Sequence, residues 1–405
     1  MRTPDLDLVS GAPFWPIASG LLGVYPPLTE DVKCDVAVVG AGITGALVAE
    51  TLTDAGLDVV VVDKRDVAAG STAASTALLS WELDSGLADL SEMIGREGAA
   101  QAYRASLDAV DTIERLAATM PGQCGFARRP SLYLASRKRD LSRLERESEL
   151  RAEHGLPSEF WSARRLAGSS CFRARGAIRS GGCGEIDPYR FTHALLAKAV
   201  ARGARIFDRT EIVEERFGRG GMRLRTDRGP VIRAERAVLA LGYEIPRPLR
   251  KDLVDLNSTY ALVTEPMDPC PGWEDRCLVW ESARPYHYLR WTSDGRILIG
   301  GEDEPFRNPL RRDRLLPRKV ARLTRRLGKT LPDLGAEPAF GWTGTFGDTK
   351  DGLPYIGEWS DAPGRIYALG YGGNGITFGV IAAQVARDLI FGRSTENTEL
   401  FRLDR

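Results

Sequence analysis

Residues 34–65 read CDVAVVGAGITGALVAETLTDAGLDVVVVDKR, and this stretch decides the fold. Two apolar runs of the kind found in buried parallel strands enclose a helical segment, which predicts a βαβ unit. Gly40 allows a tight turn, Gly42 lets a pyrophosphate approach the backbone, and Gly45 lets the helix pack closely on the strand. Asp63 ends the second strand, 23 positions after Gly40 (63 − 40), where an acid accepts hydrogen bonds from ribose hydroxyls. The stretch therefore predicts a dinucleotide site, without separating FAD from NAD.

The composition narrows the class of protein. The chain has 405 residues, 43% of them hydrophobic and 27% charged, which is enough for a large core and two domains. Its formal net charge is zero, which disfavours nucleic acid as a partner. An Arg-rich stretch at 311–329 is best interpreted as a solvated helix face.

Targeting and metal-binding signals are weak. No apolar run reaches the ~18–20 residues of a membrane span. Residues 11–27 are apolar but contain prolines and follow acidic residues, so we expect a tail lying across the folded body rather than a signal peptide. The six cysteines form no C-x-x-C pair and the three histidines are scattered, which predicts no metal site, reduced thiols and a cytoplasmic location.

Two later stretches also bear on the site. Residues 68–84, AAGSTAASTALLSWELD, are small and rich in hydroxyl groups, and fit either a cofactor-contacting loop or a simple capped helix. GYGGNG at 370–375 repeats the G-x-G-x-x-G pattern before a helix, yet the following STENTELFRLDR supplies neither a buried strand nor a strand-terminal acid. We therefore predict that it is not a second dinucleotide site, which removes support for an NADPH-using monooxygenase. Its helix N-terminus would instead stabilise negative charge on a ligand.

Motifs spread over most of the chain resemble the D-amino-acid oxidase-type (DAO) superfamily of FAD-dependent amine and amino-acid oxidoreductases. They are DVAVVGAGITG (35–45), GSTAASTALL (70–79), GEIDPYRF (184–191), AERAVLALGY (234–243), DGRILIGGEDE (294–304), GTFGDTKDGLPYIG (344–357) and GYGGNGITFG (370–379).

The resemblance implies an α/β fold with two domains. One is a discontinuous, Rossmann-type, glutathione-reductase-like FAD-binding domain, and the other is an α+β substrate domain with an antiparallel sheet. The expected boundaries are 30–89, 176–248 and 342–405 for the FAD-binding domain, 90–175 and 249–341 for the substrate domain, and 1–29 for the N-terminal tail.

The motifs and the resemblance together predict the cofactor contacts. The first motif would hold the pyrophosphate and the second the ring of one FAD. The predicted cofactor-binding residues are Gly40, Ala41, Gly42, Ile43, Thr44, Gly45, Asp63, Lys64, Arg65, Gly70, Ser71, Thr72, Ser75, Thr76, Ala77, Leu78, Val213, Gly242, Gly344, Gly372, Gly373, Asn374, Gly375, Ile376 and Thr377.

In such enzymes a C–H bond next to nitrogen delivers hydride to flavin N5, and the imine product hydrolyses. Candidates for catalysis are His287, Tyr288 and Glu302; for substrate binding they are Trp81, Glu82, Tyr286, Arg290 and Phe346. Alternation along a strand places Tyr286 and Tyr288 on one face and His287 on the other, so only one set faces the pocket. Ordinary packing of His287 and a surface turn at Glu302 remain alternative interpretations.

Two departures from family patterns narrow the chemistry. Some members carry an arginine that clamps the substrate carboxylate at the position of Phe346, and a phenyl ring cannot make that pair. Either Arg290 takes this role or the substrate lacks an α-carboxylate, and we favour the second. Other members attach the flavin through a cysteine where this chain has Gly344, so we expect noncovalent FAD.

The leading hypothesis is an amine or amino-acid oxidase that uses molecular oxygen. The alternatives are an FAD-dependent dehydrogenase of a hydroxy acid or amino acid that passes electrons to a quinone or protein, and a flavoprotein module without turnover.

Overall fold

A computed structural model describes residues 7–120, 122–245, 249 and 253–405. The strands, in chain order, are β1 (Val9–Gly11), β2 (Val32–Val39), β3 (Val59–Val62), β4 (Leu78–Leu79), β5 (Ala127–Leu134), β6 (Ser158–Ser162), β7 (Gly176–Glu185), β8 (Arg205–Phe207), β9 (Ile212–Gly218), β10 (Gly221–Thr226), β11 (Val231–Leu239), β12 (Asp255–Thr264), β13 (Leu278–Glu281), β14 (Tyr288–Trp291), β15 (Ile297–Pro305), β16 (Pro338–Asp348), β17 (Tyr355–Trp359) and β18 (Ala362–Leu369).

The helices pack on both sheets and between them. In chain order they are α1 (Phe14–Ser19), α2 (Ile43–Asp54), α3 (Ser71–Ala74), α4 (Leu87–Ile94), α5 (Arg96–Ala118), α6 (Leu141–Glu153), α7 (Ala163–Ser169), α8 (Pro188–Ala201), α9 (Pro309–Thr330), α10 (Gly375–Ile390) and α11 (Glu396–Leu400). Two short 3₁₀ turns lie at Lys138–Asp140 and Pro332–Leu334.

The first sheet contains the βαβ unit of the opening stretch. Its strand order is β17-β18-β11-β2-β3-β8, with β9 and β10 added beside β11. The pairs β18–β11, β11–β2, β2–β3 and β3–β8 are parallel. All four valines of β3 are buried, since Val59 and Val61 belong to a core cluster that includes helix α2, and Val60 and Val62 to one that includes β10.

The second sheet follows the order β1-β16-β12-β15-β14-β13-β5-β7-β4, with β6 beside β7. Its described pairs are antiparallel except β13–β5. The long helix α9 packs on the face of β12, β15 and β16 that points away from the first sheet. The Arg-rich stretch is amphipathic, since Leu323 and Leu327 are buried while several of its arginines are exposed.

Strand pairing crosses two of the domain boundaries expected from sequence. The segment 176–248, expected in the FAD-binding domain, begins with β7, which pairs with β4, β5 and β6 of the second sheet. Residues 342–348 likewise belong to β16, which satisfies its backbone groups on β1 and β12 of the second sheet. The expected junction near residue 248 lies in part outside the described residues.

The N-terminal segment is held against the body. β1 pairs with β16, and the side chains of Phe14 and Trp15 on α1 are buried. The Trp15 indole donates to the Ser75 carbonyl at 2.6 Å, so the segment crosses the boundary between the two sheets. Among the described residues, no helix combines the length and apolar character that crossing a bilayer requires.

A buried ion-pair chain connects α6 to the segment after β4. Arg151 Nη1 donates to Glu82 Oε1 at 2.6 Å, and its Nε donates to Glu147 Oε1 at 2.8 Å. All three side chains are shielded from solvent. Glu147 also accepts from the first amides of α4, at Leu87 and Ala88. The single guanidinium therefore fixes two helices and the Glu82 segment together.

Replacing Arg151 with Met should destabilise the protein by about 3–5 kcal/mol, because two buried carboxylates lose their partner. Urea unfolding followed by circular dichroism would measure the change. Arg146→Met, on the exposed face of the same helix, is the matched control and should shift stability by less than about 0.5 kcal/mol. Equal effects of the two variants would show that the buried chain does not hold α6 in place.

Candidate active site

A cleft with a cavity volume of about 310 Å³ runs between the two sheets. This volume falls within the roughly 300–1,000 Å³ of ordinary small-molecule sites. At one end the cleft is lined by the carboxyl ends of β2, β3 and β11, and at the other by side chains of β12 to β16. The cleft therefore lies at the carboxyl ends of a doubly wound sheet, where ligands of such folds bind.

Part of the first glycine motif lines the cleft. Gly40 has φ +111°, and a Cβ on it would lie 2.2 Å from the Ala240 carbonyl oxygen. A Cβ on Gly45 would lie 1.8 Å from the Gly40 oxygen, which is the close helix–strand contact that the sequence predicts. A Cβ on Gly42 would approach Thr72 Oγ1 at 3.1 Å. No larger side chain fits at Gly40 or Gly45 without moving backbone.

Asp63 lies where the sequence predicts, at the end of β3 and in the cleft lining. Its carboxylate accepts from the amides of Ala41 at 2.7 Å and Arg65 at 2.8 Å. Burial raises the pKa of Asp63 above its ordinary value. Lys64 and Arg65 ion-pair with the buried Glu244 at the same end of the cleft.

The segment 70–78 lies at the cleft, and the simple capped helix that was the alternative to a cofactor-contacting loop is not found there. It contains the short helix α3, which begins without a side-chain cap, and it also lines the cleft. Thr72 Oγ1 accepts from the Ile43 amide at 3.0 Å. Ser71 Oγ is buried in the cleft lining and has no hydrogen-bond partner within the described structure. A buried hydroxyl without a partner favours a ligand atom at that position.

The second glycine stretch begins α10 at the other end of the cleft. Asn374 Nδ2 donates to the carbonyls of Ser80 and Glu82, both at 3.0 Å, and so fixes the start of the helix. The first amides of a helix have no partner within the helix, and those of Gly375, Ile376 and Thr377 lie at the cleft. This end of the cleft is therefore suited to negative charge on a ligand.

Aromatic side chains form the wall facing α10. Trp280, Tyr286 and Tyr288 line the cleft together with Phe346. The rings of Tyr286 and Tyr288 lie 5.7 Å apart, and those of Trp280 and Tyr286 lie 6.2 Å apart. Tyr286 and Tyr288 share the cleft face, as alternation requires, which settles the choice that the sequence left open.

Acidic side chains that sequence reasoning missed stand beside this wall. Asp84 accepts from Tyr286 Oη at 2.9 Å and from the Gly373 amide at 3.1 Å. Burial and the charge of Asp84 raise the pKa of Asp303 to about 6 and that of Asp348 to about 7. Asp348 accepts from Asn257 Nδ2 at 2.8 Å. No short motif marks these residues, because three different strand or loop segments bring them together.

Two candidates for catalysis lie behind the sheet rather than in the cleft. His287 Nδ1 contacts Glu281 at 2.7 Å and its Nε2 lies 3.5 Å from Glu302. Glu302 also pairs with Arg322 at 3.0 Å, on helix α9. Neither residue lines the cleft, so the geometry does not support their contact with substrate.

Two candidates for substrate binding point into the core. Trp81 is fully buried and donates to the Gly181 carbonyl at 2.6 Å. Arg290 is buried against Glu185 at 3.1 Å and donates to the Thr76 carbonyl at 2.8 Å. A guanidinium committed in this way cannot clamp a substrate carboxylate, which corrects that expectation.

The remaining predicted residues converge on the cleft. Of the cofactor candidates, only Ala41, Gly45 and Val213 fall outside its lining, although Ile212 beside Val213 belongs to it. Glu82, Tyr286, Tyr288 and Phe346 also line it. Residues that line the cleft and that sequence reasoning did not select include Leu8, Ser80, Asp84, Ser131, Tyr243, Thr259, Leu278, Trp280, Asp303 and Tyr371.

Comparison with known proteins identifies the family of this chain. Residues 35–389 match the model of the DAO family, described as FAD dependent oxidoreductases. The chain belongs to the DAO family. Its α/β fold and Rossmann-type nucleotide-binding unit are thereby confirmed, and FAD is the cofactor of this family.

The relatives are distant and span most of the chain. Gamma-glutamylputrescine oxidoreductase of Escherichia coli is 25% identical, over 91% of this chain and 86% of its own. Glycine oxidase of Geobacillus kaustophilus is 26% identical, over 90% of this chain and 94% of its own. The crystal structure of L-proline dehydrogenase from P. horikoshii superposes with a TM-score of 0.77 at 19% identity, covering 93% and 98% of the two chains. That last likeness concerns the fold alone.

The cleft fits an FAD molecule on observations of its own. A pyrophosphate requires close backbone approach, which the space at Gly42 leaves open, and a polar partner, which Ser71 Oγ lacks. We propose that Gly40–Thr44 and Ser71 hold the pyrophosphate, that Asp63 holds the ribose, and that the start of α10 faces the flavin ring. None of the described residues that line the cleft is cysteine or histidine, and noncovalent binding stays a prediction.

Ser71→Ala should weaken FAD binding by about tenfold, since a polar atom of the cofactor loses one hydrogen bond. The dissociation constant is measured by titrating apoprotein with FAD and following flavin fluorescence. Ser106→Ala is the control, because Ser106 Oγ is also buried without a partner but lies outside the cleft. An unchanged affinity in Ser71→Ala would place this hydroxyl away from the cofactor.

Asp348→Asn should stabilise the protein at pH 8 and leave its stability at pH 4 nearly unchanged. The raised pKa, about 7 against an ordinary 3.8, means that between these values the folded protein holds a proton that the unfolded chain has lost. Wild-type stability therefore falls as the pH rises from 4 to 7, and the variant lacks this loss of roughly 1–3 kcal/mol.

Thermal melting of the holoenzyme from pH 4 to pH 8 measures this difference. Asp361→Asn, an exposed aspartate between β17 and β18, should keep the wild-type pH dependence. Parallel curves for wild type and Asp348→Asn would contradict the burial argument.

Proposed function

We propose that this protein oxidises a C–N bond of a cationic amine that carries no α-carboxylate. One observation carries the proposal: the charged side chains that line the α10 end of the cleft within the described structure are Glu82, Asp84 and Asp303, all carboxylates. The cations of the lining, Lys64 and Arg65, lie at the opposite end beside Asp63. Glu82 is paired with Arg151, so the charges of Asp84 and Asp303 are the ones that would repel a carboxylate substrate and attract an ammonium group.

The aromatic wall supports the same choice of substrate. Trp280, Tyr286 and Tyr288 offer ring faces and edges beside these carboxylates, and a cation gains from aromatic faces once water is displaced. Phe346 lines the cleft but cannot pair with a carboxylate, and Arg290 is committed to Glu185. The relatives include one enzyme named for an amine and one named for an amino acid. The aromatic wall and the carboxylates beside it favour an amine as the substrate of this chain.

The chain's own residues bind, orient and dehydrate the substrate. Bound FAD supplies the acceptor for the two electrons and the hydrogen that leave the carbon next to nitrogen. The wall of Trp280, Tyr286 and Tyr288 excludes water from the reacting carbon, and the carboxylates hold the nitrogen. The ammonium nitrogen first releases one proton to solvent, and the carbon then loses a hydride, so that the substrate becomes an iminium ion. Water converts this ion into a carbonyl compound and a free amine or ammonia.

Molecular oxygen is the acceptor that we propose, and it takes the two electrons and two protons to form hydrogen peroxide. One observation favours a second candidate, a dehydrogenase that passes electrons to a quinone or protein. One-electron transfer to oxygen creates an anion, and the carboxylates of Asp84 and Asp303 at this end of the cleft oppose anionic charge.

The test of function is an anaerobic screen that follows bleaching of the oxidised flavin. Primary amines, diamines and N-methylated amines should reduce the flavin, while glycine, sarcosine and D-amino acids should do so at least about tenfold more slowly, because the described lining at the α10 end of the cleft opposes their carboxylate with Asp84 and Asp303. Bleaching by amino acids alone would contradict the proposal. The absence of bleaching by every compound would favour a module without turnover.

The same preparations decide the acceptor. The reduced flavin is mixed with oxygen or with a soluble quinone in a stopped-flow instrument. Rapid reoxidation by oxygen supports the oxidase, whereas slow reoxidation by oxygen together with fast reoxidation by the quinone supports the dehydrogenase.

A further inference from the structure

The pairing of β12 with β15 is irregular beside the cleft. Ser258 pairs with Glu304 and Tyr260 pairs with Gly301, so the single residue Thr259 faces both Glu302 and Asp303. This is a β-bulge, and Glu302 has φ +60°, which is rare for a residue with a side chain. Such outliers persist only where the surrounding structure holds them.

The bulge changes which acid faces the cleft. Gly300 pairs with Tyr288, so both lie on the cleft face of the sheet. Regular alternation from Gly300 would turn Glu302 into the cleft and Asp303 behind the sheet. With the extra residue the order is reversed: Asp303 lines the cleft and Glu302 faces helix α9.

Glu302 is fixed from several directions. Its carboxylate lies 3.0 Å from Arg322 Nη1 and 3.5 Å from His287 Nε2. Lys319 Nζ donates to the Glu302 backbone carbonyl at 2.5 Å and lies 3.7 Å from its carboxylate. These contacts hold the bulged residue on the α9 side in its left-handed conformation.

Asp303 differs from the other acids at this end of the cleft. The Asp84 oxygens accept from Tyr286 and Gly373, and Glu82 accepts from Arg151 and Ser180. Asp303 Oδ1 is buried and has no hydrogen-bond partner in the part of the chain that the structure describes. A buried carboxylate oxygen without a partner indicates a missing donor.

We infer that Asp303 binds the ammonium group of the substrate, and that Glu302 is a positioning residue whose ion pairs with α9 keep the bulge that aims Asp303 into the cleft. The inference rests on the proposed function, since it names the residue that reads the substrate cation. It also accounts for the acidic sequence GGEDE at 300–304, in which Asp303 would contact the substrate and the adjacent Glu302 would hold the bulge.

The surroundings of Asp303 make this contact depend on pH. Burial and Asp84 raise its pKa to about 6, while Thr259, Lys319 and His287 act in the opposite direction. Asp348 is a further carboxylate in the same group. Below about pH 6 Asp303 gains a proton and loses its attraction for a cation, whereas an alkyl ammonium with a pKa near 10 stays charged.

The experiment compares Asp303→Asn, Asp303→Glu and Glu302→Gln in the holoenzyme. Glu304→Gln is the matched control, since Glu304 lies in the same strand but pairs with Lys319 on the α9 side. Two affinities are measured for each protein. One is the dissociation constant of the best amine from the screen, obtained from anaerobic flavin reduction; the other is that of tetramethylammonium, a cation that cannot be oxidised by this route, obtained from flavin absorbance.

Asp303→Asn should weaken both affinities by about 10- to 100-fold, the size of a charge-assisted contact, and should change the limiting reduction rate much less. Asp303→Glu should restore part of the affinity, Glu302→Gln should fall between the wild type and Asp303→Asn, and Glu304→Gln should match the wild type. Wild-type affinity should decrease as the pH falls from 7 to 5, and that of Asp303→Asn should not. The decrease should persist in His287→Gln, which excludes titration of His287 as its cause.

Unchanged affinities in Asp303→Asn, or an equal pH dependence in it and the wild type, would overturn the inference while leaving amine oxidation intact. Failure of every amine to reduce the flavin would overturn the proposed function, and the tetramethylammonium titration would still decide the role of Asp303. If wild type does not bind tetramethylammonium and Asp303→Asn binds the amine normally, the cation site is rejected. If Asp303→Asn loses its flavin, Asp303→Glu is used in its place. If Glu302→Gln keeps the full wild-type affinity at every pH, the positioning role of Glu302 is rejected.

Discussion

The two sheets meet at one short piece of chain, and the cleft depends on how that piece is held. Successive carbonyls at Ala74, Ser75 and Thr76 accept from Trp342, Trp15 and Arg290. The three donors come from β16, from the N-terminal segment and from β14. The second sheet and the N-terminal tail therefore hold in place the segment that follows β3 of the first sheet. With the carbonyls held from one side, the hydroxyl of Ser71 and the backbone of 70–78 remain at the cleft.

This arrangement explains why Arg290 could not be assigned from sequence. Its position in a strand predicted to face the flavin suggested that it binds substrate. Its guanidinium instead donates to the Thr76 carbonyl and pairs with Glu185. A charge buried in this way is tolerated only when it is paired and hydrogen-bonded, and both conditions are met here. Trp81 is a similar case, since its neighbour Glu82 reaches the cleft while the indole packs in the core.

Features set by local backbone geometry were predictable, and features set by strand register were not. Gly40, Gly45 and Asp63 belong to one continuous βαβ unit, so spacing alone located them. The second G-x-G-x-x-G was separated from the first by the absence of a following strand, and it begins α10 at the opposite end of the same cleft. Glu302 was selected for its place at the end of the predicted strand, and the bulge opposite Thr259, which puts Asp303 in the cleft instead, leaves no recognisable mark in a single sequence.

The acidic end of the cleft and the start of α10 impose a combined constraint on the ligand. The amides of α10 favour negative charge on the cofactor, whereas Asp84, Asp303 and Asp348 disfavour additional negative charge close by. A cation that binds between the start of α10 and these carboxylates would be attracted to the carboxylates. It would also screen their charge from the electron-rich ring of the cofactor. Burial and the neighbouring carboxylates raise the pKa values of Asp303 and Asp348, and a bound ammonium ion would lower both by stabilising the ionised carboxylates. We therefore expect that binding of the proposed substrate cation releases protons from this site, because the same charges govern both events.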